Sequence, residues 1–218
     1  MHLSISPRLL ACADYIRTND VVADVGCDHG YLGIHLLRGG IANRVIASDI
    51  NEGPLCSARR NALKYGVQDK MSFHLSAGVR DVPRDFNVMV CAGMGADTMV
   101  SILEDAPWLR CDRYRMILQC QSKTPCLRRY LSENGWYIAK ESVLRDGRFL
   151  YAVMEVIWAP EKPRLSVGQW HISPALLENP TPEAKEYCDR ILDGLRLALS
   201  HRNDPEKKQA LMELEDVL

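Results

Sequence analysis

The 218-residue chain carries 27 Lys and Arg against 28 Asp and Glu, with 47% apolar and 25% charged residues. That balance excludes a disordered, collagen-like or strongly charged protein, and the length suits one α/β domain of roughly 150 residues with a smaller appendage. No run approaches the roughly 18 consecutive apolar residues of a membrane helix, and the N-terminal segment lacks the basic-then-apolar pattern of a signal peptide. The eight cysteines form no C-x-x-C pair. The expectation is therefore a cytoplasmic protein with reduced thiols, no metal and no membrane attachment.

In chain order, compact strands alternate with helical patterns. Strands are predicted at 21–25, 44–48, 71–75, 86–92 and 115–119, with helices at 32–38, 54–65, 97–104 and 125–134. Two further strands, 136–143 and 149–158, flank Asp146-Gly147, a hairpin signal. Strand–helix alternation implies a parallel sheet with right-handed crossovers, and the closing hairpin adds one reversed strand. This layout predicts an α/β, Rossmann-like class I methyltransferase fold with a seven-stranded, mostly parallel sheet. Net charge passes from +2 over residues 1–160 to −3 over 161–218. The proline-bearing stretch Ala159–Pro163 lies at that change, giving domains 1–159 and 160–218. Within the second, residues 183–201 and 205–218 have helical periodicity and one charged face. They predict a C-terminal helical hairpin that must bury its apolar face on the main domain or on another chain.

The strongest chemical signal is Asp24-Val25-Gly26-Cys27-Asp28-His29-Gly30, a glycine turn between a strand and a helix. Its spacing is not the G-x-G-x-x-G of a dinucleotide enzyme, and Asp24 and Asp28 repel a pyrophosphate. They suit a ligand with a cationic end, such as S-adenosyl-L-methionine (SAM). Asp49 ends the second predicted strand 23 residues after Gly26, where a carboxylate can accept ribose hydroxyls. Ala92-Gly93-Met94-Gly95 follows the fourth strand and allows close approach from the same crevice. No Ser–His–acid set or metal cluster stands out.

Together, Leu3–Leu9, DVGCDHGYLGIHL, ASDINEGPLCSARRN, AGMG and LRRYLSENGW resemble the TrmK-like family, bacterial tRNA adenine-N1 methyltransferases acting at position 22. The resemblance covers nearly all of residues 1–158, and the family also carries a C-terminal helical hairpin. It implies SAM as cofactor, held by Asp24, Gly26, Cys27, Asp28, Gly30, Asp49, Ile50, Ala77, Gly78, Ala92, Gly93 and Met94. It implies tRNA as partner, with the protein a monomer or weak dimer. Asp28, with His29 and Tyr31 shaping the pocket, is the candidate catalytic group. Gln119 and Gln121 are candidates to read the base edge.

Phosphate contacts fall to Arg8, Arg59, Arg60 and Arg145, with Lys64, Arg128, Arg129 and Arg148 as further cations. The tail offers a basic edge of Lys185, Arg196, Arg202, Lys207 and Lys208. Three positions depart from the family pattern: Ala77 replaces a carboxylate expected near the SAM adenine, Ala96 replaces a glycine, and Gln119-Cys120-Gln121 replaces Q-P-N. Open alternatives are a SAM-dependent enzyme for another RNA, a protein or a small molecule, and a non-catalytic RNA-binding relative. A nicotinamide-dependent dehydrogenase fits the glycine spacing poorly.

Overall fold

The computed structural model describes residues 3–218. Helix α1 (Pro7–Ala13) opens the chain, with Ser6 Oγ accepting the Leu9 N–H and Pro7 in the first turn. Ser-Pro is a start signal of its own, but seven residues are too few for a periodic pattern, and this helix escaped the reading above. There follow β1 (Asp20–Val25), α2 (Tyr31–Arg38), β2 (Ala42–Asp49), α3 (Glu52–Tyr65) and β3 (Met71–Leu75). Next come β4 (Val88–Met94), α4 (Ala96–Glu104), β5 (Arg115–Cys120), α5 (Thr124–Glu133), β6 (Trp136–Asp146) and β7 (Phe149–Trp158).

The seven strands lie in the order β3-β2-β1-β4-β5-β7-β6, all parallel but for β7, which is antiparallel to both of its neighbours. This is the Rossmann-like methyltransferase sheet that the strand–helix alternation predicted. From β1 the chain winds outward to β3, returns to β4 on the other side of β1, and winds outward again. Loops leaving β1 and β4 therefore diverge and open a crevice at the C-terminal edge of the sheet. The central strands are buried along nearly their whole length, as parallel strands covered on both faces must be. Cys12, Leu32, Ile34, Leu36, Leu55 and Ala58 fill one side, and Met99, Leu103, Leu127 and Leu131 fill the other.

Strand β4 runs two residues past its predicted end, to Met94, with Gly93 at φ 80° in a bulge that shifts its register with β5. The last hairpin is also longer than predicted. Asp146 pairs with Phe149, which leaves only Gly147-Arg148 as the loop, with Gly147 at φ 60°.

The tail contains α6 (Val167–His171), α7 (Pro174–Leu177), α8 (Pro182–His201) and α9 (Pro205–Glu215). Thr181 and Asp204 cap the two long helices, each followed by proline in the first turn. The first two helices are too short to announce themselves by periodicity. Helices α8 and α9 form the predicted hairpin, with Arg196 of α8 bonded to Glu215 of α9 at 2.8 Å. Their apolar face packs on the main domain through Val143 of β6 and Leu150 of β7: Cys188, Leu192, Leu195, Ala210 and Leu214 cluster with these and with Ile172 and Leu176 of the tail itself.

Arg128, named above among the phosphate-contacting cations, is corrected by the structure. Its side chain is wholly buried and paired with Glu141 of β6. It also donates to the carbonyl oxygens of Trp170 (3.1 Å) and His171 (2.7 Å), stitching α5 to α6. Burial works against its charge, but Glu141 and the Tyr187 hydroxyl outweigh it and hold the guanidinium pKa above its ordinary value. The helical spacing Thr124, Leu127, Arg128, Leu131 already places Arg128 on the inward face.

Removing one member of this pair strands the other charge in the interior. Glu141→Ala should cost about 3–5 kcal/mol in urea unfolding, whereas Arg128→Met/Glu141→Leu together should recover most of that loss. Equal losses in the single and double variants would show that the pairing is not what matters.

Candidate active site

The loop after β1 is clamped against β2: the Gly26 and Cys27 N–H groups donate to the Ser48 carbonyl at 2.8 and 2.9 Å. Gly26 takes φ 70°, the left-handed conformation that favours glycine, and a Cβ there would lie 2.4 Å from Met94 Cε, displacing the end of that side chain. Gly30, at φ 71°, starts α2 against Ala58.

Two cavities meet at Gly26. The first, about 410 Å³, is walled by Ser6, Arg8 and Leu9 from α1, by Asp24, Cys27, Asp28, His29 and Tyr31 from the β1 loop, and by Ala92, Gly93, Gln119 and Gln121 across the crevice. The second, about 550 Å³, is walled by Asp49, Ile50, Ser76, Ala77, Gly78 and Met94, with Asp97, Thr98, Ser101 and Asp105 from α4 and its C-terminal end. The crevice residues proposed from the sequence thus converge, Gly30 behind the wall. Sequence reasoning missed Ser6 and Leu9 and the polar face of α4. Ser6-Pro7 was a findable signal, but α4's orientation toward the cavity is a tertiary property.

Asp24 is the most unusual group here. Its carboxylate is buried, and Oδ2 has no hydrogen-bond partner among the described residues. Burial pushes its carboxyl pKa up to about 7; the Gly33 N–H opposes the shift and the charge of Asp49 adds to it. Such an orphaned buried acceptor costs about 1–3 kcal/mol, which a cationic or N–H-bearing ligand would offset.

Asp49 is buried too, with Oδ1 accepting the Asn51 N–H (2.9 Å) and Oδ2 accepting the Asp28 N–H (3.3 Å). A carboxylate offers about four acceptor sites, so Asp49 retains capacity for a ligand. Asp28 has φ 48°, and its side chain is 71% exposed at the crevice mouth, 3.5 Å from His29 Nε2. The His29 and Tyr31 rings lie 5.8 Å apart beside it.

Gln119 departs from its expected role. It is wholly buried, accepting the Gly93 N–H (3.0 Å) and donating to the Cys120 carbonyl (3.2 Å), so it props the β4 turn rather than presenting an open base-reading edge. Gln121 faces the cavity and is exposed. Of the proposed phosphate contacts, Arg8 lines the cavity, but Arg59, Arg60 and Arg145 line neither. Arg59 pairs with Glu52, Arg60 bonds Ser57, and Arg145 pairs with Glu186 of α8. Among the described residues no group of His, Cys, Asp and Glu could hold a metal ion, and no helix is long and apolar enough to cross a membrane.

A family model described as a methyltransferase domain matches residues 5–154. The chain is similar to the tRNA (adenine(22)-N(1))-methyltransferase of Bacillus subtilis, 29% identical over 153 residues, which is 70% of this chain and 64% of that enzyme, just under two thirds of its length. A crystal structure of the B. subtilis M1A22 tRNA methyltransferase TrmK superposes with a TM-score of 0.81 at 25% identity, covering 99% of this chain and 96% of that one. A Streptococcus pneumoniae protein solved in complex with S-adenosyl-L-methionine gives a TM-score of 0.86 at 28% identity, covering 99% and 100%.

Asp24 makes stability depend on pH. Folding raises its carboxyl from 3.8 to about 7, so the native state holds the proton more tightly than the unfolded chain. That contribution is fully present below about pH 4 and is lost as pH rises through 7. Wild type should therefore lose about 2 kcal/mol relative to Asp24→Asn between pH 5.5 and 8.5. Urea unfolding of both proteins across that range checks it, and parallel pH curves would count against the raised carboxyl.

Proposed function

The chain belongs to the methyltransferase-domain family, and from that membership we propose that it transfers the methyl group of S-adenosyl-L-methionine to N1 of an adenine in tRNA, at position 22. The observation that carries the cofactor assignment is the unpartnered Asp24 oxygen beside the Gly26 turn. The amino group of the cofactor answers that acceptor, and Asp49 has acceptor capacity for the ribose. The cavity beside Ser76, Ala77 and Gly78 takes the adenine. The similarity to the B. subtilis enzyme supports the substrate. The same reading keeps residues 1–159 as the cofactor-binding domain and 160–218 as the helical hairpin domain, and places the protein in the cytoplasm with its tRNA.

When bound, the cofactor supplies a methyl group activated on a sulfonium. N1 of neutral adenine already carries an in-plane lone pair, so no side chain has to remove a proton before attack. The protein's task is alignment, bringing N1 into line with the methyl carbon and the departing sulfur. Positive charge moves to the adenine as the bond forms. The Asp28 carboxylate at the mouth of the first cavity stabilises it, most effectively once the seated RNA displaces the water around it. His29 and Tyr31 narrow the mouth beside it. Because N1 lies on the pairing edge, the base must leave its stack to enter. Arg8, on the cavity wall, is placed to meet the RNA backbone there.

Unmodified bacterial tRNA incubated with the protein and SAM should gain 1-methyladenosine by nucleoside mass spectrometry. Methylation confined to another base, a protein or a small molecule would replace this reading. Asp28→Asn should lower kcat about a hundredfold, with tRNA affinity little changed. A loss limited to SAM affinity would reassign Asp28 as a cofactor ligand.

A further inference from the structure

The β6–β7 hairpin runs past the edge of the sheet at the crevice. Ala152 pairs with Cys120, the last residue of β5, and with Val143 of β6. Beyond that level three more pairs extend the hairpin, Leu144 with Tyr151, Arg145 with Leu150, and Asp146 with Phe149. At about 3.4 Å per residue the tip projects about 10 Å past the end of β5. Strand alternation gives the projection two unlike faces. Val143 and Leu150 pack into the tail cluster and Arg145 pairs with Glu186 of α8. Leu144, Asp146, Phe149 and Tyr151 point the other way, toward α1.

That second face joins the crevice through Arg8, which lines the first cavity. Arg8 Nε donates to Asp146 at 2.9 Å, and its guanidinium lies over the Tyr151 ring at 5.4 Å. Phe149 continues the row, 6.1 Å from Tyr151, and is 50% exposed. The Arg148 guanidinium lies 4.9 Å over the Phe149 ring, and among the described residues it has no ion-pair partner. A single exposed phenylalanine needs no explanation. A row of two aromatic rings with a guanidinium at each, leading outward from a cavity, is the arrangement that binds unpaired nucleotides by stacking and phosphate attraction.

We propose that the hairpin tip is an RNA-stacking platform, on which Phe149 stacks a nucleobase neighbouring the one admitted to the crevice while Arg148 meets its phosphate. This rests on the RNA-methyltransferase reading and extends it: the substrate must have unpaired nucleotides beside its target. The platform predicts a contact, absent from the cofactor site, whose loss weakens RNA alone.

The test uses the full chain, reading binding of unmodified tRNA by fluorescence anisotropy with saturating S-adenosylhomocysteine and, in a separate titration without it, SAM binding by calorimetry. Phe149→Ala should raise the tRNA Kd about tenfold and leave the SAM Kd unchanged, which also reports an intact fold. Phe149→Trp, which keeps a stacking face, should bind tRNA within about twofold of wild type. If wild type binds tRNA and Phe149→Ala binds it equally well, the platform is refuted and the patch is left to a protein partner. Equal weakening by Trp and Ala would also refute it, because stacking would then not be the cause. A wild-type protein that binds SAM but no tRNA overturns the RNA reading itself, and the platform with it.

Discussion

The reversal of winding beside β1 is the constraint on which the site depends. With β2 on one side of β1 and β4 on the other, the crossovers that leave β1 and β4 run in opposite senses. The gap between them cannot be closed by a helix, so the loop after β1 borders open space on two sides. Gly26 stands at that point. Its N–H is tied to Ser48, and its missing Cβ leaves room for Met94. Both cavities, and the acidic residues that face them, follow from this one turn.

Buried charge is handled differently at the site and elsewhere. At the opposite edge of the sheet, Arg115 of β5 lies between Asp20 of β1 and Glu155 of β7, and its Nη1 also donates to the Tyr15 carbonyl at 2.8 Å. Between α5 and β6, Arg128 and Glu141 satisfy each other with help from Ser173 and two backbone carbonyls. In both networks each buried carboxylate has a cation. Asp24 has none, and one of its oxygens has no partner at all. Asp49 also lacks a cation but accepts two backbone N–H groups, whereas Asp24 keeps an unpartnered oxygen beside a cavity, an acceptor open to a ligand.

The Arg128–Glu141 pair also decides what the hairpin tip can do. By fixing α5 to β6 and to the carbonyls at the end of α6, it seats the tail on one face of β6. Helix α8 then covers Val143 and Leu150 and engages Arg145 through Glu186. The other face of the hairpin stays open beside α1. The acidic tail and the aromatic row thus occupy opposite sides of the same two strands, and the tail does not obstruct the approach to the crevice from α1.

Much was legible without the fold. Alternating apolar runs and helical patterns determined the sheet and its reversed strand, because burial on both faces demands continuous apolar strands and a two-residue loop demands glycine or its like. The glycine turn and Asp49 could be placed at one crevice, since both sit at strand ends whose position the parallel topology dictates. Arg128 was read as a surface cation from its charge, although its helical spacing with Leu127 and Leu131 on α5 points inward. Tertiary structure alone decided the rest. Asp24 became an orphaned acceptor, and Gln119 a prop for Gly93, through packing between strands far apart in sequence. Arg59 and Arg145 were drawn to a local and a tail carboxylate and Arg60 to the Ser57 hydroxyl, because a long cationic side chain takes whichever acceptor the fold brings within reach. Sequence names the residues able to do chemistry; only the packed chain determines which of their atoms are left without a partner.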